Sequence, residues 1–211
     1  MKKFKEIPDK VTFNTKKEDI LNKIKLILKN KGFDKSDPHY YMQLNYNLST
    51  LQRAEYLLEI INHFKKLNFA DKKVLDVACG TGGIAIVCAK KKADVTALDL
   101  DKDSIELAKF MAKKEKVKIK FIIEDVFKEK FDRNFDIIFS IDSLEHINAE
   151  KFIFVFKNHI KPGGYLILKV NNKLFPYDPH TQKYLIHLLP VKTIDSLLKK
   201  YYWNFFRTYK S

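Results

Sequence analysis

From residue 73 to residue 170 the chain alternates short apolar runs with longer helix-like segments, and this alternation excludes most folds before any single residue is weighed. Apolar runs at 74–77, 95–100, 119–123, 135–141 and 165–170 read as strands. Between them, 83–91, 102–116 and 148–159 read as helices. Buried strands separated by helices pair in parallel and are covered on both faces. The expected fold is therefore α/β, a doubly wound and mostly parallel sheet. Ligands of such sheets bind beyond the carboxyl ends of the strands, so the residues just after each strand are the place to look for function.

Those residues are polar. The first strand runs into VLDVACGTGG (74–83), in which Asp76 precedes Gly80, Gly82 and Gly83. Glycine is costly in an ordered element unless the backbone needs unusual dihedrals or a close approach, so the stretch reads as a strand ending in a loop that carries a ligand. The second strand ends at Asp99 and Leu100, the third at Glu124 and Asp125, and the fourth at Ser140, Asp142, Glu145 and His146. Each acid alone reads as a helix cap or turn residue; together they line one edge. Gly80 to Ala85 also matches Gly-x-Gly-x-x-Ala, and with Asp99 it fits the dinucleotide fingerprint, which keeps a NAD(P)-dependent oxidoreductase in play. Against it, Asp76 stands between the apolar strand and the first glycine, and a helical extension comes before the loop.

That extension occupies residues 1–50, ahead of a domain over 51–211. A capping-box pattern at Thr15 to Glu18 opens a helix with Ile20, Leu21, Ile24, Ile27 and Leu28 on one face, and Gly32 stops it. Residues 35–47 read as a loop carrying Tyr40, Tyr41 and Tyr46, and Ser49 to Gln52 is a second capping box that opens another helix. After 170 the chain reads as a proline-punctuated aromatic stretch, LFPYDPH (174–180), then a helix over 193–200 and a strand over 201–209.

The formal charge is +14. Nearly all of it is lysine, since Arg53, Arg133 and Arg207 are the only arginines, and dedicated readers of phosphate and bases tend to use arginine forks as well. The lysines are spread through almost every segment, which fits a solvated surface better than a nucleic-acid footprint. The apolar run at 84–89 is too short to cross a bilayer, and MKKFKEIPDK lacks an apolar stretch behind its lysines, so neither membrane insertion nor a secretory signal is expected. Cys79 and Cys88 have no metal-ligand spacing and read as cytoplasmic thiols.

Taken in order, VLDVACGTG from Val74, VTALDLD from Val95, IEDV from Ile123, FDIIFS from Phe135, LEH from Leu144 and KPGG from Lys161 resemble the class I S-adenosylmethionine-dependent methyltransferases. The resemblance covers 73–170. It implies a Rossmann-like fold with S-adenosylmethionine as cofactor. Asp76 and the Ala78–Gly82 backbone, with Gly80 and Gly82, would face its methionyl part, where a Cβ would collide with the ligand. Asp99 would accept both ribose hydroxyls, with Leu100 beside it. Asp125 would accept from the adenine amino group, with Val126 packing on the ring, and Ser140 would pass under the sulfonium. The family's sheet has a seventh, antiparallel strand next to the fifth. The expectation here is that the last strand takes its place, or that the sheet is shortened and leaves an edge for a second copy or partner to cover.

For an oxygen acceptor, a base or metal must help remove a proton. His146 and Glu145 are the candidate catalytic residues, His146 as general base or acceptor-orienting group. If the segment is helical, Asp142, Glu145 and His146 share a face and could hold a divalent cation with His180. That pattern resembles ubiquinone-pathway O-methyltransferases and small-RNA 2′-O-methyltransferases, but Asp142 departs from their glutamate, and no metal is assigned. With Tyr40, Tyr41 and Tyr46 on one wall and 174–180 on the other, the expected acceptor is an oxygen, or else a carbon or nitrogen, of a small apolar or aromatic molecule. A metal-assisted RNA methyltransferase and a non-catalytic binding module remain the alternatives, the chain being a monomer or homodimer.

Overall fold

In the computed structural model the chain forms two compact units, Met1–Lys169 and Val170–Ser211. The structure describes residues 15–36, 38–131, 134–144, 146–170, 177–178 and 183–184. The first unit holds a five-stranded sheet of order β3-β2-β1-β4-β5, with β1 Lys73–Val77, β2 Asp94–Asp99, β3 Lys120–Ile123, β4 Phe135–Ile141 and β5 Ile160–Lys169. Every pairing in it is parallel. In the second unit, β6 Tyr177–Asp178 and β7 Lys183–Tyr184 form a separate antiparallel pair. The helix expected at 193–200, the strand expected at 201–209 and the side chains of the Thr15 capping box lie outside the described residues.

The pleat explains the two covered faces, because successive side chains point to opposite sides. Val74, Val95, Ala97, Ile137 and Phe139 pack with α3 (Thr50–Phe64) and α4 (Gly83–Lys90). Leu75, Val77, Leu98 and Ile138 pack with Phe152 and Phe156 of α6 (Ala149–Phe156). A third cluster joins Ile24, Ile27 and Leu28 of α1 (Thr15–Asn30) to Leu107 and Met111 of α5 (Lys102–Lys114). Helix ends follow their chemistry. Asp101 caps α5 by accepting from the Asp103 N–H at 3.2 Å, and Asn148 caps α6 by accepting from Lys151 N–H at 2.8 Å. Gly32 ends α1 at φ +82°, with Phe33 N–H bonded to the Leu28 carbonyl and its own N–H to that of Lys29.

Three expectations are corrected. Residues expected as a loop form α2 (Pro38–Leu48). Proline at its first position loses no hydrogen bond, and Tyr40 and Leu44, one turn apart, are buried against Ile24 and Leu28. Tyr40 is thus part of the core and not of a substrate wall. Ser49 does not close a capping box: α2 runs directly up to it, and its hydroxyl donates back to the Tyr46 carbonyl. Finally, β5 begins at Ile160 and not at Tyr165. Phe135 pairs with Ile160 and Ile137 with Tyr165, so the KPGG segment is a bulge within the strand.

Candidate cofactor and active site

The registers bring the strand tips into one row. Val77 pairs with Leu98 and with Ser140, and Asp99 pairs with Ile123. The tips of β3, β2, β1 and β4 therefore end side by side along one edge.

At the tip of β1, Asp76 is buried and its Oδ2 accepts from the Ala85 N–H at 3.1 Å. Burial pushes its carboxyl up to about 7; the Ala85 N–H opposes the rise and the Asp99 charge adds to it. The loop beyond turns through left-handed backbone at Ala78 (φ +54°), Gly80 (φ +53°) and Gly82 (φ +76°). The glycines serve different purposes. A Cβ on Gly82 would stand 2.9 Å from the Cβ of Ala108 on α5, and one on Gly83 would stand 2.7 Å from both the carbonyl oxygen and Oγ1 of Thr50. Those two glycines make room for the packing of α5 and α3. At Gly80 a Cβ would meet no protein atom within 4 Å, so the loop faces open space there.

Asp99 ties this loop to β2. Its Oδ2 accepts from Gly80 N–H at 2.7 Å and its Oδ1 from Asp101 N–H at 2.8 Å. Each carboxylate oxygen has a second lone pair, so both can still accept from a diol. Leu100, next along, is 70% exposed and offers an apolar surface at this edge. At the tip of β3, Asp125 Oδ1 accepts from Phe127 N–H at 2.8 Å, which makes it the turn residue expected of an acid read alone. Val126 packs into the cluster of Leu75, Leu98 and Phe152.

The β4 tip is built differently. Ser140 is fully buried and shares a hydrogen bond with Ser143. Asp142 stands at φ +54°, donates its N–H to the Lys169 carbonyl and pairs with the Lys169 ammonium. The segment is a turn, with His146 N–H bonded to Ser143 O, and α6 starts only at Ala149. Among the described residues, Asp142 and His146 therefore share no helical face. His146 is exposed. Glu145 and His180 lie outside the described residues, and among the described residues no three His, Cys, Asp or Glu side chains stand together as a metal site.

Sequence reasoning missed the contacts made by the extension. Thr50, at the start of α3, accepts from the Thr81 hydroxyl at 3.1 Å, directly against the glycine loop. Arg53 donates to the Tyr46 carbonyl at 3.1 Å and lies 3.6 Å over the Tyr46 ring. Lys31, at the end of α1, pairs with Asp101. No local pattern announces the Thr50–Thr81 and Lys31–Asp101 partners, which lie 31 and 70 residues apart.

Comparison with known proteins agrees with this edge. Residues 68–196, more than half the chain, match the profile of a methyltransferase domain. The chain is 31% identical over 147 residues to a ubiquinone biosynthesis O-methyltransferase of Rickettsia akari, covering 68% of this chain and 59% of that protein. It is 29% identical over 168 residues to the like-named enzyme of Pelagibacter ubique, covering 75% and 70%. The chain thus spans well under two thirds of the Rickettsia relative's length. A solved S-adenosylmethionine-dependent methyltransferase from Clostridium acetobutylicum shares the fold, with a TM-score of 0.52 at 24% identity, over 63% of this chain and 58% of that one. With the strand order, the acid at each of the first three tips and the matched domain in agreement, the chain belongs to the class I S-adenosylmethionine-dependent methyltransferase family.

Proposed function

We propose that the chain transfers a methyl group from S-adenosylmethionine to an oxygen of a small apolar or aromatic molecule. The observation that carries this is the row of Asp76 within β1, Asp99 at the end of β2 and Asp125 just past β3, on three adjacent parallel strands, beside a loop that is open at Gly80. The residues fit the cofactor: a cradle without a Cβ, a carboxylate with free lone pairs for a diol, and the exposed Leu100 for the adenine face. The names of the Rickettsia and Pelagibacter relatives favour oxygen as the acceptor atom.

When bound, S-adenosylmethionine supplies an electrophilic methyl group on a positively charged sulfur. The chain's own residues do the rest. Asp99 would accept from the ribose hydroxyls and Asp125 from the adenine amino group, each with the oxygen lone pairs left after its backbone bonds. The Ala78–Gly82 backbone and Asp76 would hold the methionyl end, with Ser140 supporting the floor of the site. Holding the acceptor oxygen in line at near-attack distance supplies most of the rate. His146 takes the proton at an imidazole nitrogen as the acceptor oxygen gains the methyl group. The helices within residues 1–50 serve as a lid on the 51–211 domain, which the contact of Thr50 with Thr81 supports.

Two measurements test this. Calorimetric titration should show S-adenosylmethionine binding and no NADH binding; the reverse would sink the proposal. Transfer of a labelled methyl group should then be followed onto a panel of phenols and onto RNA. Transfer to RNA alone, with affinity falling steeply as salt rises, would reassign the acceptor.

A further inference from the structure

We infer that Lys31, in the N-terminal helical extension, is a positioning residue for the ribose end of the cofactor site. The inference rests on the reading of Asp99 as the ribose acceptor. The Lys31 ammonium sits at the carboxyl end of α1 and bonds Asp101 Oδ2. That oxygen also accepts from the Ser104 hydroxyl at 2.7 Å, while Oδ1 accepts from Asp103 N–H at 3.2 Å. The Asp101 carboxylate is thus held from two elements, α5 and α1. Burial alone would raise its carboxyl, yet the Lys31 and Ser104 bonds hold it below the usual carboxylate range.

Asp101 in turn holds Asp99. Its backbone N–H donates to Asp99 Oδ1 at 2.8 Å, and on the other side Gly80 N–H donates to Oδ2 at 2.7 Å. The chain of contacts therefore runs Lys31, Asp101, Asp99, Gly80, joining residues 70 positions apart to the glycine loop. Asp101 lies between two fixed points. Without Lys31 it keeps its bonds within α5 but loses its tie to α1, and the Asp101 peptide is freer to turn its N–H away from Asp99. A carboxylate that must present two lone pairs to two hydroxyls at once is sensitive to such a rotation. A second ion pair, Lys114 with Asp19, joins the same two helices at their other ends and touches no residue of the site. It makes a matched control.

The test uses the full chain and measures affinity for S-adenosylhomocysteine and for its 2′,3′-dideoxy analogue by calorimetry, together with thermal unfolding without ligand. Lys31→Met should weaken S-adenosylhomocysteine by about three- to tenfold, and the dideoxy analogue not at all. Lys31→Arg should restore the affinity. Asp101→Asn, which keeps the cap and the N–H, should reproduce the loss, and combining it with Lys31→Met should add nothing. Lys114→Met should shift the melting temperature as Lys31→Met does and leave both affinities unchanged. Equal losses for the two ligands, or a Lys31→Met protein that binds as the parent does, would overturn the inference. Asp99→Ala separates this from the underlying reading: if it weakens S-adenosylhomocysteine while Lys31→Met does not, only the role of Lys31 fails. If Asp99→Ala has no effect, the ribose assignment itself is overturned, and the role of Lys31 with it.

Discussion

At the tip of β2, both oxygens of Asp99 accept backbone N–H bonds, from a loop on one side and a helix start on the other. Two strands away, at the tip of β4, Asp142 sits in left-handed backbone against a lysine, and His146 is exposed on a turn. The first region is held by backbone bonds on two sides of one carboxylate. The second is held at its base by the buried Ser140 and Ser143, while His146 farther out is exposed. The difference fits a division of labour. A cofactor that is the same in every turnover needs a rigid cradle, whereas an acceptor must enter and leave through a side that can open.

The strongest way to break this comparison is to remove Asp99. Asp99→Ala should raise the dissociation constant for S-adenosylhomocysteine about 100-fold or more, since two hydrogen bonds to a charged group are lost. The maximal turnover rate should hold once cofactor saturates. His146→Ala should do the converse, lowering kcat by about 10²- to 10⁴-fold with cofactor affinity unchanged. If His146→Ala instead shifts affinity and spares kcat, the division between the two tips is wrong.

Asp76 sharpens the comparison through pH. Its folded-state carboxyl, pushed up to about 7, holds a proton that the unfolded chain releases at ordinary carboxylate pH. Stability of the ligand-free protein should therefore fall as pH rises from about 4 to about 7 and stay level above. Asp76→Asn, whose amide oxygen can still accept from Ala85, should abolish that slope and exceed the parent above pH 7 by up to about 4 kcal/mol. Urea midpoints at several pH values would measure it. The opposite edge of the sheet has the opposite sign. Asp136 takes a hydrogen bond from Lys73 N–H and pairs with Lys161, and despite its burial these partners hold its carboxyl below the usual range. Its contribution is present at neutral pH and is lost as pH falls below the carboxylate range. The smallest effect belongs to the outer part of the β4 tip. Lys169→Met, which frees Asp142 from a half-exposed ion pair, should cost no more than about 1 kcal/mol in a denaturant titration and leave cofactor affinity untouched.

Much of this was legible in the residues. Strands 1, 3 and 4 fall within one residue of the apolar runs that announced them, because buried parallel strands must be apolar on both faces. Less legible was α2. Its tyrosines and proline read as a loop, and only the packing of Tyr40 and Leu44 onto α1 makes the segment a helix. The glycines were half legible: their presence marked the loop, but whether each yields to a ligand or to a neighbouring helix was not written in VLDVACGTGG.

The amino-acid sequence by itself determined the parallel α/β architecture, the row of acids at the strand tips and the family, because these follow from local periodicity and from which residue ends each strand. Tertiary structure alone decided that Gly82 and Gly83 make room for Ala108 and Thr50, that the segment after β4 is a turn and not a helical face, and that Lys31 reaches Asp101. Those outcomes depend on which side chains meet across space, and residues distant in the chain meet only after the sheet and its helices have packed.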